Sequence, residues 1–203
     1  MPSPMASGWR SNGFTLIEMM IALALLAILI VAAIPSFNQF RERAALRGAA
    51  DQMVSFWGDA RFEALRRNSQ VKVGFIQDGG SFCIGAEAHD DATDLDACDC
   101  LTAGACDIAA FPTNQSEWSR VTSSTVTFGS STGTDAVAII DHKRGNLLTA
   151  GDAGSISFGR GDYRLNFVVD RNGRAYLCEP ADAPAKLPQY SDRRCAAAVV
   201  VEE

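Results

Sequence analysis

Three kinds of hydrophobic patterning follow one another along this chain. From Phe14 to Ile34 the residues FTLIEMMIALALLAILIVAAI make 21 consecutive positions with a single charge, Glu18. About 20 apolar residues at 1.5 Å rise span a hydrocarbon core, and Leu, Ala, Ile and Met favour helix, so this run predicts a membrane-crossing helix. After Pro35 apolar residues recur at three- and four-residue steps: Ala45, Ala49, Met53, Phe56, Ala60 and Ala64, with Arg43, Arg47, Asp51, Asp59, Glu63, Arg66 and Arg67 on the other faces. That spacing predicts an amphipathic helix from Ser36 to about Asn68, with Met53, Phe56 and Trp57 as ordinary core. Pro35 removes one helical hydrogen bond and predicts a kink or a loosened turn. From Gln70 the period shifts toward two. Val71–Phe75, Phe82–Ala86, Val121–Phe128, Ala136–Ile140, Ser155–Phe158, Arg164–Val169, Arg174–Cys178 and Ala197–Val201 read as strands, being rich in β-branched and aromatic residues. Asp170-Arg171-Asn172-Gly173 reads as a hairpin turn, because Asn-Gly accepts positive φ. The class is therefore α+β: a long N-terminal helix followed by an antiparallel sheet.

Length and charge narrow the function. A chain of 203 residues suits one domain with an appendage. With 18 Lys+Arg against 24 Asp+Glu the net charge is −6, which disfavours a broad electrostatic grip on nucleic acid. Apolar residues at 47% exclude wholesale disorder. His89 and His142 have no acid or nucleophile at an informative spacing, and neither a phosphate-cradling glycine loop nor a nucleophile elbow occurs. No catalytic residue and no cofactor is assigned. An ordinary secretory signal fits poorly: the apolar run is too long, it contains Glu18, and Val31-Ala32-Ala33 with Pro35 close behind is a poor cleavage site. Charge counting, with Arg10 before the run and Arg41, Arg43 and Arg47 after it, would place the C-terminal part in the cytoplasm. Six cysteines favour an oxidising compartment instead, and we weigh them more heavily.

Gly13-Phe14-Thr15-Leu16-Ile17-Glu18 resembles the prepilin peptidase site of type IV pilins and type II secretion pseudopilins. In that family a short polar leader ends in glycine, the peptidase cuts after it and methylates the new N-terminal residue, and a carboxylate follows at the fifth mature position. Gly13, Phe14 and Glu18 match, and Pro35 matches a common pilin position. The resemblance implies a leader over 1–13, a transmembrane and assembly helix over 14–35, an amphipathic helix over 36–68 and a β-rich head over 69–203. Removing the leader takes away Arg10 alone among the charges, leaving a mature chain at −7. A lone carboxylate in hydrocarbon costs on the order of 2.5–3.5 kcal/mol, so Glu18 needs a partner. The family supplies one in the freed amine of a neighbouring subunit. The alternative is a Glu18 that snorkels to the membrane interface. The later order resembles the GspH/FimT branch of minor pilins, through Asp59-Ala60-Arg61-Phe62-Glu63-Ala64, Ile156-Ser157-Phe158 and Asn172-Gly173-Arg174. This implies a non-enzymatic subunit that primes or caps assembly of a type IV pilus or a type II secretion pseudopilus. It would sit in the bacterial inner membrane with a periplasmic head before joining the filament. Its partners would be other pilins or pseudopilins, the prepilin peptidase, the inner-membrane assembly platform and membrane lipid.

Other residues carry rival chemistry. Cys83, Cys98, Cys100 and Cys106 fall in one region, Cys178 and Cys195 in another. Six cysteines allow 15 pairings. Cys178 with Cys195 would close a proline-rich C-terminal loop, and the other four would staple the loop from Glu87 to Trp118 by two bridges. The rival is zinc on Cys98, Cys100 and Cys106 with His89 or Cys83, but Cys-x-Cys is not a common zinc-knuckle spacing, and no metal ligand is assigned. Asp90, Asp91, Asp94, Asp96 and Asp99 form an acid cluster without EF-hand order, read as a solvated loop. Arg160-Gly161-Asp162 is read as a turn. Some FimT-like minor pilins are implicated in DNA uptake through an exposed Gly-Arg-x-Arg. Gly173-Arg174-Ala175-Tyr176 lacks the second arginine. Arg160, Arg164, Arg171 and Arg174, with Arg193, Arg194 and Tyr163 or Tyr176, remain the candidate DNA patch, against a reading of scattered solvated arginines.

Overall fold

A computed structural model of the chain describes residues 14–78, 81–89, 96–112, 121–127, 130–132, 135–149 and 153–195. The chain divides into two compact units, Met1–Phe40 and Arg41–Glu203. One helix, α1 (Leu16–Arg67), contributes to both. Its ends are chemically marked. Glu18 lies in the first turn and Arg66 and Arg67 in the last, each complementing the helix dipole. Asn68 then takes φ 52°, the left-handed conformation that stops a helix. The helix continues through Pro35.

Among the described residues nine strands follow. β1 (Val71–Asp78), β2 (Ser81–Ala88), β3 (Ala109–Phe111), β5 (Ser130–Thr132) and β6 (Asp135–Ile140) form a sheet of order β3-β2-β1-β6-β5. β4 (Thr122–Val126), β7 (Gly154–Arg160), β8 (Tyr163–Val169) and β9 (Ala175–Cys178) form a second, of order β4-β7-β8-β9. Every strand pairing is antiparallel. The head thus holds two sheets where the alternation had suggested one. The three-residue edge strands β3 and β5 are too short to leave a periodic signal. Ala197–Val201 lies outside the described residues.

The core of the second unit is where α1 and the two sheets meet. On the helix Leu46, Ala49, Ala50, Met53, Phe56, Trp57, Ala60 and Ala64 are buried. Ala45, expected in this stripe, is only half-buried, and Leu46 and Ala50 take the core direction instead. β1 contributes Val71, Val73 and Phe75, and β8 contributes Tyr163, Leu165, Phe167 and Val169, alternate residues as strand geometry requires. Phe82 joins the sheets: its ring centroid lies 5.6 Å from Phe75, 5.9 Å from Phe111 and 6.4 Å from Phe158.

β1 and β2 are covered on their other face as well. Gly74 and Gly85 stand directly opposite each other in the ladder. A Cβ at Gly74 would overlap that of Ala97, and one at Gly85 would overlap the sulfurs of Cys98 and Cys106. The missing side chains make a slot, and the loop carrying Ala97 to Cys106 fills it. Lys72 is buried beside this slot. Its Nζ meets Glu87 Oε1 at 3.0 Å, across the same pair of strands. A buried ammonium needs such a partner.

Candidate functional site

Gly13 lies outside the described residues. Phe14 and Thr15 precede the helix, and Thr15 acts as its N-cap: Oγ1 accepts the Glu18 backbone N–H at 3.3 Å. The Met19 N–H bonds the Thr15 carbonyl at 3.2 Å, opening the helical ladder. Thr15-x-x-Glu18 is the capping-box sequence, in which a hydroxyl satisfies one of the four orphan N–H groups of a helix start. Sequence reasoning read Glu18 as a membrane acid and missed Thr15. The signal was legible as a Ser/Thr-x-x-Glu spacing ahead of an apolar run. Beyond this turn, the large apolar side chains between Phe14 and Phe40 expose 52–80% of their surface. No charge except Glu18 occurs between Phe14 and Phe40. Among the described residues α1 is the one helix long and apolar enough to cross a membrane.

The four arginines of the predicted patch are divided between the two ends of β8. Arg160 and Arg164 flank the β7–β8 hairpin, where Arg160 pairs with Tyr163 and Gly159 with Arg164. Arg171 and Arg174 belong to the β8–β9 turn and are exposed. The six steps of β8 separate the pairs by about 20 Å. Tyr163 is taken up inside the head. It is buried, its hydroxyl accepts Arg43 Nε at 2.8 Å, and the Arg43 guanidinium carbon sits 5.0 Å from its ring centroid. Tyr176 remains 47% exposed. Arg160-Gly161-Asp162 is the β7–β8 turn, with Gly161 at φ 58° against the Glu42 carboxylate, where a Cβ would stand 2.6 Å from Oε2.

The turn holding Asn172-Gly173-Arg174 is longer than a two-residue hairpin. Gly173 N–H bonds the Asp170 carbonyl at 2.9 Å, and Asp170 Oδ1 accepts the backbone N–H groups of Asn172 and Arg174 at 2.9 and 2.8 Å. Gly173 alone in this turn takes positive φ, 68°. It packs tightly: a Cβ there would lie 2.5 Å from the Gly145 carbonyl oxygen. α1 clamps both glycine carbonyls. Trp57 Nε1 donates to Gly173 O at 2.8 Å, and Arg61 Nε donates to Gly145 O at 2.7 Å. Sequence reasoning placed Trp57 in the core and missed its polar role.

Cys83 is bonded to Cys100, Cys98 to Cys106 and Cys178 to Cys195. Asp99, between Cys98 and Cys100, turns its own loop: Oδ1 accepts Leu101 N–H at 3.1 Å and Oδ2 accepts the Thr102 hydroxyl at 2.6 Å. Asp90, Asp91 and Asp94 lie outside the described residues. His142 Nδ1 is 3.6 Å from Asp141 Oδ1, an acid adjacent in sequence, while His89 lies just beyond β2 with its N–H bonded to the Gln70 carbonyl at 2.9 Å. Beyond β9, the buried Glu179 organises the last loop, accepting Leu187 N–H on Oε1 at 2.7 Å.

Comparison with known families gives two matches. A family model described as the prokaryotic N-terminal methylation motif covers residues 10–34. One described as type II transport protein GspH covers residues 49–176, more than half of the chain. No curated protein and no solved structure matches the sequence.

Proposed function

This chain belongs to the GspH family of type II transport proteins, and on that premise we propose that it primes or caps a growing filament rather than forming its bulk. The coarser role is that of a minor pseudopilin or pilin, in type II secretion or type IV pili, carrying the prokaryotic N-terminal methylation motif and anchored in the inner membrane by its apolar helix. The family is structural, and its mechanism is assembly.

One observation carries the proposal. The apolar part of α1, up to Phe40, exposes its large side chains and begins with a single acid in its first turn. Such a surface needs lipid first and other apolar helices afterwards, and the acid needs a cation in both settings. In our reading the prepilin peptidase cuts after Gly13 and methylates Phe14. Glu18 then sets axial register by pairing with the amine of an adjacent subunit. The assembly platform lifts the helix from the bilayer into the filament, leaving the head to contact the neighbouring minor subunits.

Intact-mass analysis of the chain purified from peptidase-positive cells tests the first step. The expected species begins at methylated Phe14; a start near Ile34 would mean an ordinary signal sequence. A deletion strain tests the second step by comparing the sheared surface fraction with the culture supernatant. Loss of surface pili with normal export assigns the chain to a pilus. Retained pili with enzymes trapped in the periplasm assign it to a secretion pseudopilus.

A second reading, DNA capture, is favoured by the exposed Arg171, Arg174 and Tyr176 around the β8–β9 hairpin, where phosphate contact and base stacking would be neighbours. Filter binding of the full chain across a salt series tests it. A steep fall with salt is expected if DNA is bound, and an Arg171→Ala/Arg174→Ala variant would then lower the slope.

A further inference from the structure

We propose that the head depends on a thiol–disulfide isomerase as a folding partner, because its pairing of Cys83 with Cys100 and Cys98 with Cys106 is interleaved. This goes beyond the assembly role and does not rest on it. Four cysteines can pair in three ways. Oxidation in order of appearance from the N-terminus gives Cys83–Cys98 and Cys100–Cys106. Loop closure favours the same mispaired set. Each of its loops is two residues shorter than the observed separations of 17 and 8, an advantage of about twofold in the unfolded chain. Only one residue, Asp99, separates the two cysteines that must exchange places.

The folded head reverses this preference by geometry. Cys83 is presented on the outer face of β2, and both cystines lie together over Gly85. A Cβ there would overlap the Cys98 and Cys106 sulfurs and stand 3.1 Å from the Cys100 Cβ. Once formed, the set is protected, with Cys83, Cys98 and Cys100 all buried. A mispaired chain cannot correct itself. All six cysteines are paired and none is free, so an oxidised chain has no thiolate to begin exchange.

An external thiolate completes the correction without net oxidation. It attacks Cys83, forming a mixed disulfide and releasing the Cys98 thiolate. Cys98 attacks Cys106, forming one native bridge and releasing the Cys100 thiolate. Cys100 attacks Cys83, forming the second native bridge and returning the isomerase thiolate. Each step breaks one S–S bond and makes one. Cys178–Cys195 joins consecutive cysteines and needs no exchange.

The test uses the full chain in detergent micelles, reduced in denaturant and diluted into air-saturated buffer with or without catalytic protein disulfide isomerase. Cleavage on the N-terminal side of Asp99 separates Cys98 from Cys100, and cleavage after Leu101 separates Cys100 from Cys106, so mass mapping distinguishes the three pairings. We expect the interleaved set to rise at least fivefold with the isomerase. Equal yields in the two arms would overturn the proposal, as would a mispaired set that persists with isomerase present. A Cys83→Ser/Cys100→Ser variant keeps only consecutive pairs, and its pairing yield should not respond to the isomerase. A comparable response there would also overturn the proposal, even if the variant folds poorly, because the readout is pairing.

Discussion

Trp57 illustrates how a core residue in this head also carries a polar contact. Its ring packs edge-on against Phe167 at 6.3 Å, while its N–H reaches the Gly173 carbonyl at 2.8 Å. Trp57→Phe keeps most of the apolar volume and leaves that carbonyl without its donor. The expected cost is about 1–3 kcal/mol. For a chain of this size that lowers the melting midpoint by roughly 2–4 °C per kcal/mol, readable by near-ultraviolet dichroism of the full chain in detergent. Glu63 carries a prediction about pH. Hydrogen bonds from Arg66 and then Arg67, at 2.5 and 2.6 Å from Oε1, hold its carboxyl near pKa 2 instead of the ordinary 4.5. Because the folded value is depressed, this contribution is present above about pH 4.5 and is lost as pH falls through about 2. Glu63→Gln should therefore flatten the acid limb of the stability profile in that window and leave the profile above it parallel to the parent's. A parallel acid limb would mean that the pair contributes nothing there.

At the next level the elements depend on one another through positions that carry no side chain. β1 and β2 could pair with many residues at positions 74 and 85, yet only glycine leaves room for Ala97 and the cystines on the outer face. Gly85→Ala should cost about 1–3 kcal/mol through overpacking, more than an alanine at an unobstructed strand site. A urea titration followed by Trp fluorescence would read it. An unchanged midpoint would mean that the disulfide loop does not press on the sheet. α1 is joined to the end of β2 in a similar way. Arg67 Nη1 meets Asp107 Oδ2 at 2.8 Å, and Asp107 Oδ1 accepts the Ala88 N–H at 2.9 Å. One carboxylate thus serves the last turn of the helix and the last residue of the strand.

For the molecule as a whole the governing feature is the apolar surface that the first part of α1 presents. Phe14, Leu16 and Ile17 beside Glu18 expose 67–80% of their surface. Glu18→Gln removes the charge while keeping the size, so leader cleavage should proceed. Loss of the amine–carboxylate pair should then reduce recovery in the sheared filament fraction by tenfold or more. Normal filament recovery would show that Glu18 serves only as a helix-start residue. The net charge of −6 places any nucleic-acid contact on local arginines, and these stand in two pairs at opposite ends of β8.

Much of this was readable before any coordinates, for a physical reason. Helix and strand periods are set by neighbours within four residues, so the apolar run, the helix stop at Asn68 and seven of the strands announced themselves locally. The processing motif is also contiguous, and Gly13, Phe14 and Glu18 stand within six residues. What tertiary structure decided involves partners far apart in sequence. Trp57 meets Gly173 across 116 residues and Arg61 meets Gly145 across 84. The division into two sheets, the choice among 15 cysteine pairings, the slot at Gly74 and Gly85, and the parting of the arginines all depend on which distant segments share a face. Local patterning selects the element. Excluded volume and long-range hydrogen bonding select its neighbours.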